Sequence, residues 1–172
     1  MKILRSSDVK EVDAYTIENE PILSINLMER AAGKCSGWML KHIEKHRKFF
    51  VFAGPGNNGG DGIAVARQLA EKGREVALCL VKISNKLSPD AQVNLERVYK
   101  QGVVKVYEIE KKDDLPQLPE ESVVVDGLFG SGLNRPLEGF PADVVKHLNT
   151  QSATRIAIDI PSGLFGEDNS GN

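Results

Sequence analysis

The sequence predicts a doubly wound α/β domain with a mostly parallel sheet and a helical N-terminal extension. Three observations carry that expectation. Strand-like apolar runs alternate with helix-like segments from Lys48 onward, an order that builds parallel sheets through helical crossovers. Runs such as VALCLV and IAIDI are apolar throughout, as strands covered on both faces must be. GPGNNGGDG, from Gly54 to Gly62, joins one apolar run to a helix, where open α/β sheets bind ligands.

Each element has its own signals. Asp8–Asn19 reads as a helix with Ser6 or Ser7 as its N-cap. A second helix runs from Ser24 to about Lys45. Its apolar side holds Leu27, Met28, Ala31, Ala32, Cys35, Trp38, Met39 and Ile43, with Glu29, Arg30, Lys34, Lys41 and Glu44 opposite. The strands are placed at Phe49–Ala53, Glu75–Val81, Val103–Tyr107, Val123–Asp126 and Arg155–Ile160. Helices Gly62–Lys72, Ser88–Gln101 and Phe140–Asn149 lie between them. Ser88 as N-cap, Pro89 at the first position and Gly102 past the end bracket the second of these. Residues 1–47 thus form the helical extension and 48–172 the core of one domain. The closing GLFGEDNSGN is polar and follows a strand, so the domain is expected to continue in a longer natural chain.

Composition narrows the ligand. Basic residues number 22 and acidic residues 24, which argues against a polyanion-binding surface and for a small ligand rather than nucleic acid. No apolar run approaches the ~20 residues of a membrane span, and no signal-peptide pattern opens the chain. A cytoplasmic protein is expected. Cys35 and Cys79 sit in apolar patterns and read as buried, reduced thiols. His42, His46 and His147 lie near lysines on helices and read as solvated, and no Cys or His spacing suits a metal.

Three unusual loops follow strands on the carboxyl edge: GPGNNGGDG, DGLFGSGLNRPLEG and DIPSG. The first matches the dinucleotide glycine pattern, yet the second strand ends in Lys82 rather than a ribose-binding acid. It also lacks the lysine and hydroxyl residue of a phosphate loop. Its asparagine amides and the following helix N-terminus suit an anion or polar ligand, and Asp61 can accept hydrogen bonds. In the second loop, small residues let backbone N–H groups approach a diphosphate, and Arg135 can pair with it. Asp126 ends the strand before that loop. Asp159 stands inside an apolar run, where a carboxylate is costly unless paired or functional. Burial would raise its pKa and nearby N–H donors would lower it.

With these residues in view, GPGNNGGDGIAVAR, VDGLFGSGLNRPLEG and AIDIPSGL, in that order and preceded by INLMERAAG, resemble the YjeF N-terminal domain family. The resemblance covers nearly the whole chain. It implies a Rossmann-like three-layer α/β/α sandwich and NAD(P)HX epimerase activity, an isomerisation in metabolite repair. It assigns substrate binding to Asn57, Asn58, Gly59, Gly60 and Asp61, to Gly130, Ser131, Gly132, Leu133, Asn134, Arg135 and Pro136, and to Asp159. It assigns a potassium ion to Asn58, Asp126 and Ser162, a set of hard oxygen donors. It also implies a homodimer and, in some members, a fused C-terminal ADP- or ATP-dependent dehydratase domain.

The substrate, NADHX or NADPHX, carries a hydroxyl on a ring carbon bonded to nitrogen. Inverting that carbon requires loss of the hydroxyl or ring opening, and either needs proton transfer at that oxygen. Asp159 is the expected acid/base, with Asp61 second. The alternative is a non-catalytic nucleotide-binding or scaffold domain of the same family.

Overall fold

The structure, a computed structural model, describes residues 5–170. The elements run α1 (Ser6–Asn19), α2 (Ser24–His42), β1 (Phe49–Ala53), α3 (Asn57–Glu71), β2 (Val76–Val81) and α4 (Pro89–Gln101). They continue with β3 (Lys105–Ile109), a 3-10 turn (Lys112–Asp114), β4 (Val123–Gly127), α5 (Gly139–Thr150) and β5 (Thr154–Ala157). All five strands pair parallel in the order β3-β2-β1-β4-β5. The order reverses between β1 and β4, which sets a ligand crevice beyond their carboxyl ends.

Alternation along each strand divides the core into two layers. Phe49, Val51 and Ala53 of β1, with Leu78 and Leu80 of β2, face Ala32 and Met39 of α2, Ile63 of α3 and Val98 of α4. Phe50, Phe52, Ala77, Cys79 and Val124 face Val144 and Leu148 of α5. The result is a three-layer α/β/α sandwich. Only the three central strands are covered on both faces. β5 is the sheet edge, and Thr154 and Arg155 are exposed, so IAIDI is not the doubly covered strand its apolarity suggested. β3 is the other edge and begins at Lys105 rather than Val103, which lies 65% exposed beyond the Gly102 turn.

Several local expectations shift. Arg5, not Ser6 or Ser7, caps α1, and the Asp8 carboxylate accepts its backbone N–H at 3.1 Å. α2 buries Met28, Ala32, Ser36 and Met39, while Ala31 and Trp38 face solvent. Trp38 instead stacks on His42. Glu29, expected on the solvent side, faces α3 and α4. It pairs with Arg67, accepts from Gln68 at 2.5 Å and pairs with Arg97 at 3.0 Å. Burial alone would raise its pKa, but the Gln68 hydrogen bond and the two arginines hold it below the usual range. His147 is half-buried against the Pro116 carbonyl at 2.9 Å, not solvated. Cys79 is buried and Cys35 half-buried, and both are free thiols.

The largest correction concerns NNGGD. It is not a loop: α3 begins at Asn57, five residues before the helix start expected from the apolar pattern. Gly59, Gly60 and Gly62 therefore sit inside a helix, where each costs about 1 kcal/mol relative to alanine. Close packing explains the first two. A Cβ at Gly59 would strike the Gly54 carbonyl oxygen, and one at Gly60 would come within 2.8 Å of Met28 Sδ. A Cβ at Gly54 would in turn strike the backbone of Leu128, just past β4. Gly59→Ala is expected to destabilise the fold by about 2–3 kcal/mol in urea unfolding, because backbone cannot yield as a side chain can. Gly56→Ala, which meets no atom within 4 Å, is expected to stay within about 1 kcal/mol of the parent.

Candidate active site

The three carboxyl-edge loops meet at one point. A Cβ at Gly130 would lie 2.5 Å from Asp159 Oδ2 and 3.3 Å from Asn58 Cγ. The helix start, the loop after β4 and the turn after β5 thus touch around a residue without a side chain. Above them opens a cavity of about 930 Å³. Asn57, Asn58, Asp61, Gly130, Ser131, Gly132, Leu133, Asn134, Arg135, Pro136 and Asp159 all line it. The N-terminus of α3 points into it, with first-turn N–H groups that have no partner within the helix. Gly59 and Gly60 do not line it. They are buried and serve the packing of α3 on β1 and α2.

Asp159 departs from its expected setting. β5 ends at Ala157, and Ile158 makes one last sheet-like bond, its N–H donating to the Asp126 carbonyl at 2.9 Å. The chain then turns at Asp159, which has φ 64. Among the described residues it is the only non-glycine in the left-handed region, a strain that clusters at functional sites. The side chain is exposed, not embedded in the sheet, and Oδ2 accepts the Ser131 N–H at 2.6 Å.

Asp126 and Ser162 lie beneath the cavity and fasten its floor. Asp126 Oδ2 accepts the Ser162 N–H at 2.8 Å, and Oδ1 accepts the Ser162 hydroxyl at 2.6 Å and the Leu128 N–H at 3.1 Å. The Ser162 hydroxyl oxygen accepts the Phe129 N–H at 2.9 Å. Asn58 contrasts with this saturation. Both polar atoms of its side chain are buried without a hydrogen-bond partner, an expensive state unless something else satisfies them. Among the described residues, no group of three or more His, Cys, Asp or Glu side chains is placed to hold a metal ion.

Part of the wall comes from the helix that the sequence set apart as an extension. Ser6, Val9 and Asp13 of α1 line the cavity, as do Ile83 after β2 and Glu138 before α5. The i, i+4 spacing of Val9 and Asp13 puts both on one face of α1, and this was the available signal for them. The lining is acidic: Asp13, Asp61, Glu138 and Asp159 stand against Arg135, which has no ion-pair partner among the described residues. Asp61 feels this most. Burial first, and then repulsion from Asp159, Asp13 and Asp90, push its pKa up to about 7. Burial, aided by Asp61, also raises the Cys35 thiol.

Known proteins share this arrangement of sequence. The chain is 39% identical over 169 residues to the "Bifunctional NAD(P)H-hydrate repair enzyme Nnr" of Thermofilum pendens, covering 97% of this chain and 32% of that one. It is 35% identical over 161 residues to the "NAD(P)H-hydrate epimerase" of Limosilactobacillus fermentum, covering 94% of this chain and 74% of that one. It therefore spans about a third of the bifunctional relative and three quarters of the epimerase. The crystal structure of the yeast protein YNL200c superposes with a TM-score of 0.74 at 24% identity, over 95% of this chain and 72% of that one, and shares the fold. No helix among the described residues is long and apolar enough to cross a membrane. Residues 24–172 match the family described as YjeF-related protein N-terminus, and the chain belongs to that family.

Proposed function

We propose that the chain acts as an NAD(P)H-hydrate epimerase, interconverting the R and S epimers of hydrated NADH or NADPH. One observation carries this reading: the three loops converge on Gly130 beneath a cavity at the β1/β4 reversal, with Asn58 and Asp159 in contact range. The activities named for the relatives support the same assignment. The cavity lies within the range of small-molecule and cofactor sites, about 300 to 1,000 Å³.

Chemistry distributes the roles. The α3 N-terminus, the small-residue loop from Gly130 to Pro136 and the Arg135 guanidinium bind the diphosphate. Asn57, exposed at the first position of α3, offers its side-chain amide to the substrate. Asp159, exposed to the cavity and fixed by the Ser131 N–H, takes a proton at the ring-carbon hydroxyl oxygen. The backbone strain at Asp159 aims the carboxylate back over the loops instead of along the strand.

A cation resolves the charge problem. Four carboxylates, Asp13, Asp61, Glu138 and Asp159, line the cavity that is to accept an anionic diphosphate. The residues that would hold a potassium ion are Asn58, Asp126 and Ser162. They fit it in kind, as amide, carboxylate and hydroxyl oxygens, and Asn58 Oδ1 is buried without a partner. When bound, the ion supplies positive charge that offsets the carboxylates and orders the loop ends.

The assay is epimer interconversion of purified R-NADHX, followed by chromatography against a protein-free blank. Equilibration faster than the blank, accelerated by potassium over sodium, is the expected result. Asp159→Asn is expected to slow it about 10²–10⁴-fold while leaving the protein folded. A wild-type rate equal to the blank would refute the activity, and an unimpaired Asp159→Asn variant would remove Asp159 from the chemistry.

A further inference from the structure

Asp61, a substrate-binding residue by resemblance and second to Asp159 as the expected acid/base, is given no chemical step under the proposed function, yet its setting is unusual. It lies in the second turn of α3, half-buried, and lines the cavity. No hydrogen-bond donor among the described residues holds its carboxyl. Asp13 faces it from α1, Cys35 from α2, Asp90 from α4 and Asp159 from the turn after β5. Asp90 is itself tied to the Ser24 hydroxyl, and Arg135 lies on the same lining. β1, β2 and β4, the strands under α3, present apolar side chains, the Asp126 carboxyl being taken up by Leu128 and Ser162. A carboxyl without a donor, among like charges, keeps its proton close to neutral pH.

Resting on the epimerase reading, we propose that Asp61 is a second catalytic residue: the acid that protonates the departing hydroxyl, while Asp159 takes the proton of the water that returns. The Asp61 proton passes to the hydroxyl oxygen. The C–O bond breaks, its electron pair leaving with water, and the ring-nitrogen lone pair forms a C=N bond to the same carbon. That carbon is now planar. Water adds from the other face, the C=N π pair returns to nitrogen, and Asp159 removes a proton from the added water. Nothing is oxidised or reduced. One proton has moved from Asp61 to Asp159, and it returns through solvent.

The sign of the pH effect follows. An acid must start protonated, so turnover holds below about 7 and is lost as pH rises through that value. Stability runs the same way. The folded pKa of Asp61 lies above its ordinary value of 3.8, so its charge costs stability increasingly from about pH 4 to 7.

The test is kcat against pH for the full chain in potassium buffer, with hydrated NADH as substrate. Wild type is expected to lose about tenfold per pH unit above 7. Asp61→Asn is expected to lower kcat about 10²–10³-fold, with KM within about threefold, and to lack that limb. Asp13→Asn, which removes one repelling charge, is expected to move the limb to lower pH. Asp61→Asn is also expected to raise Tm more at pH 8 than at pH 5, which certifies its fold. Asp61→Asn with kcat within about threefold of wild type, or with KM alone raised, overturns the proposal. So does a wild-type profile that is flat through 7. Wild type no faster than the blank instead overturns the epimerase activity itself.

Discussion

Helix α3 reaches the ends of β1 and β4 by direct backbone contact, and everything at the site depends on that approach. Gly59 stands against the Gly54 carbonyl, Gly54 against Leu128, and a Cβ at Gly127 would lie 3.2 Å from the Asn58 carbonyl oxygen. No side chain separates helix from strands at these points. The helix dipole therefore ends at the reversal of strand order, where its partial positive charge meets the cavity. The price is three helical glycines, Gly59, Gly60 and Gly62, of which Gly59 stands where backbone contact leaves no room for a side chain.

The same approach decides which polar groups face the ligand. Asn58, one residue into the helix, is carried under Gly130 with its amide buried and unpartnered. Asp61, one turn further on, emerges at the cavity wall. The bonds joining Asp126, Ser162, Leu128 and Phe129 then tie the two remaining loops to each other. These are charge-assisted or buried bonds, the kind that fix geometry.

Away from the loops, ion pairs and backbone bonds hold the layers in place. Glu29 with Arg67, Gln68 and Arg97 locks α2 onto α3 and α4. Arg74, buried and stacked on Phe49, caps the carbonyls of Ile43 and Glu44 and fastens the end of α2 to the start of β1. Arg47 binds the Glu121 and Ser122 carbonyls and the Thr154 hydroxyl, gathering the lower ends of β4 and β5. Fixing α2 in this way puts Met28 over Gly60 and Cys35 near Asp61. Much of the burial that raises the Asp61 pKa follows from helix packing at a distance from the loops.

Local rules determined much of this protein by sequence alone. Apolar runs located all five strands, and Ser88, Pro89 and Gly102 bounded α4 to the residue, because caps and strand cores depend on neighbours along the chain. The three carboxyl-edge loops were legible too, since strand–helix alternation dictates which ends share an edge. Tertiary structure alone decided the rest. The sequence showed NNGGD as a loop, because glycines oppose helices until packing demands them. It placed Asp159 inside a strand, because an apolar run does not reveal that the strand is an edge that ends early. It set α1 apart, although Ser6, Val9 and Asp13 of α1 line the same cavity as the loops. The raised pKa of Asp61 lay furthest from view: burial and repulsion from Asp159, Asp13 and Asp90 depend on distances between remote segments, and no local pattern encodes them.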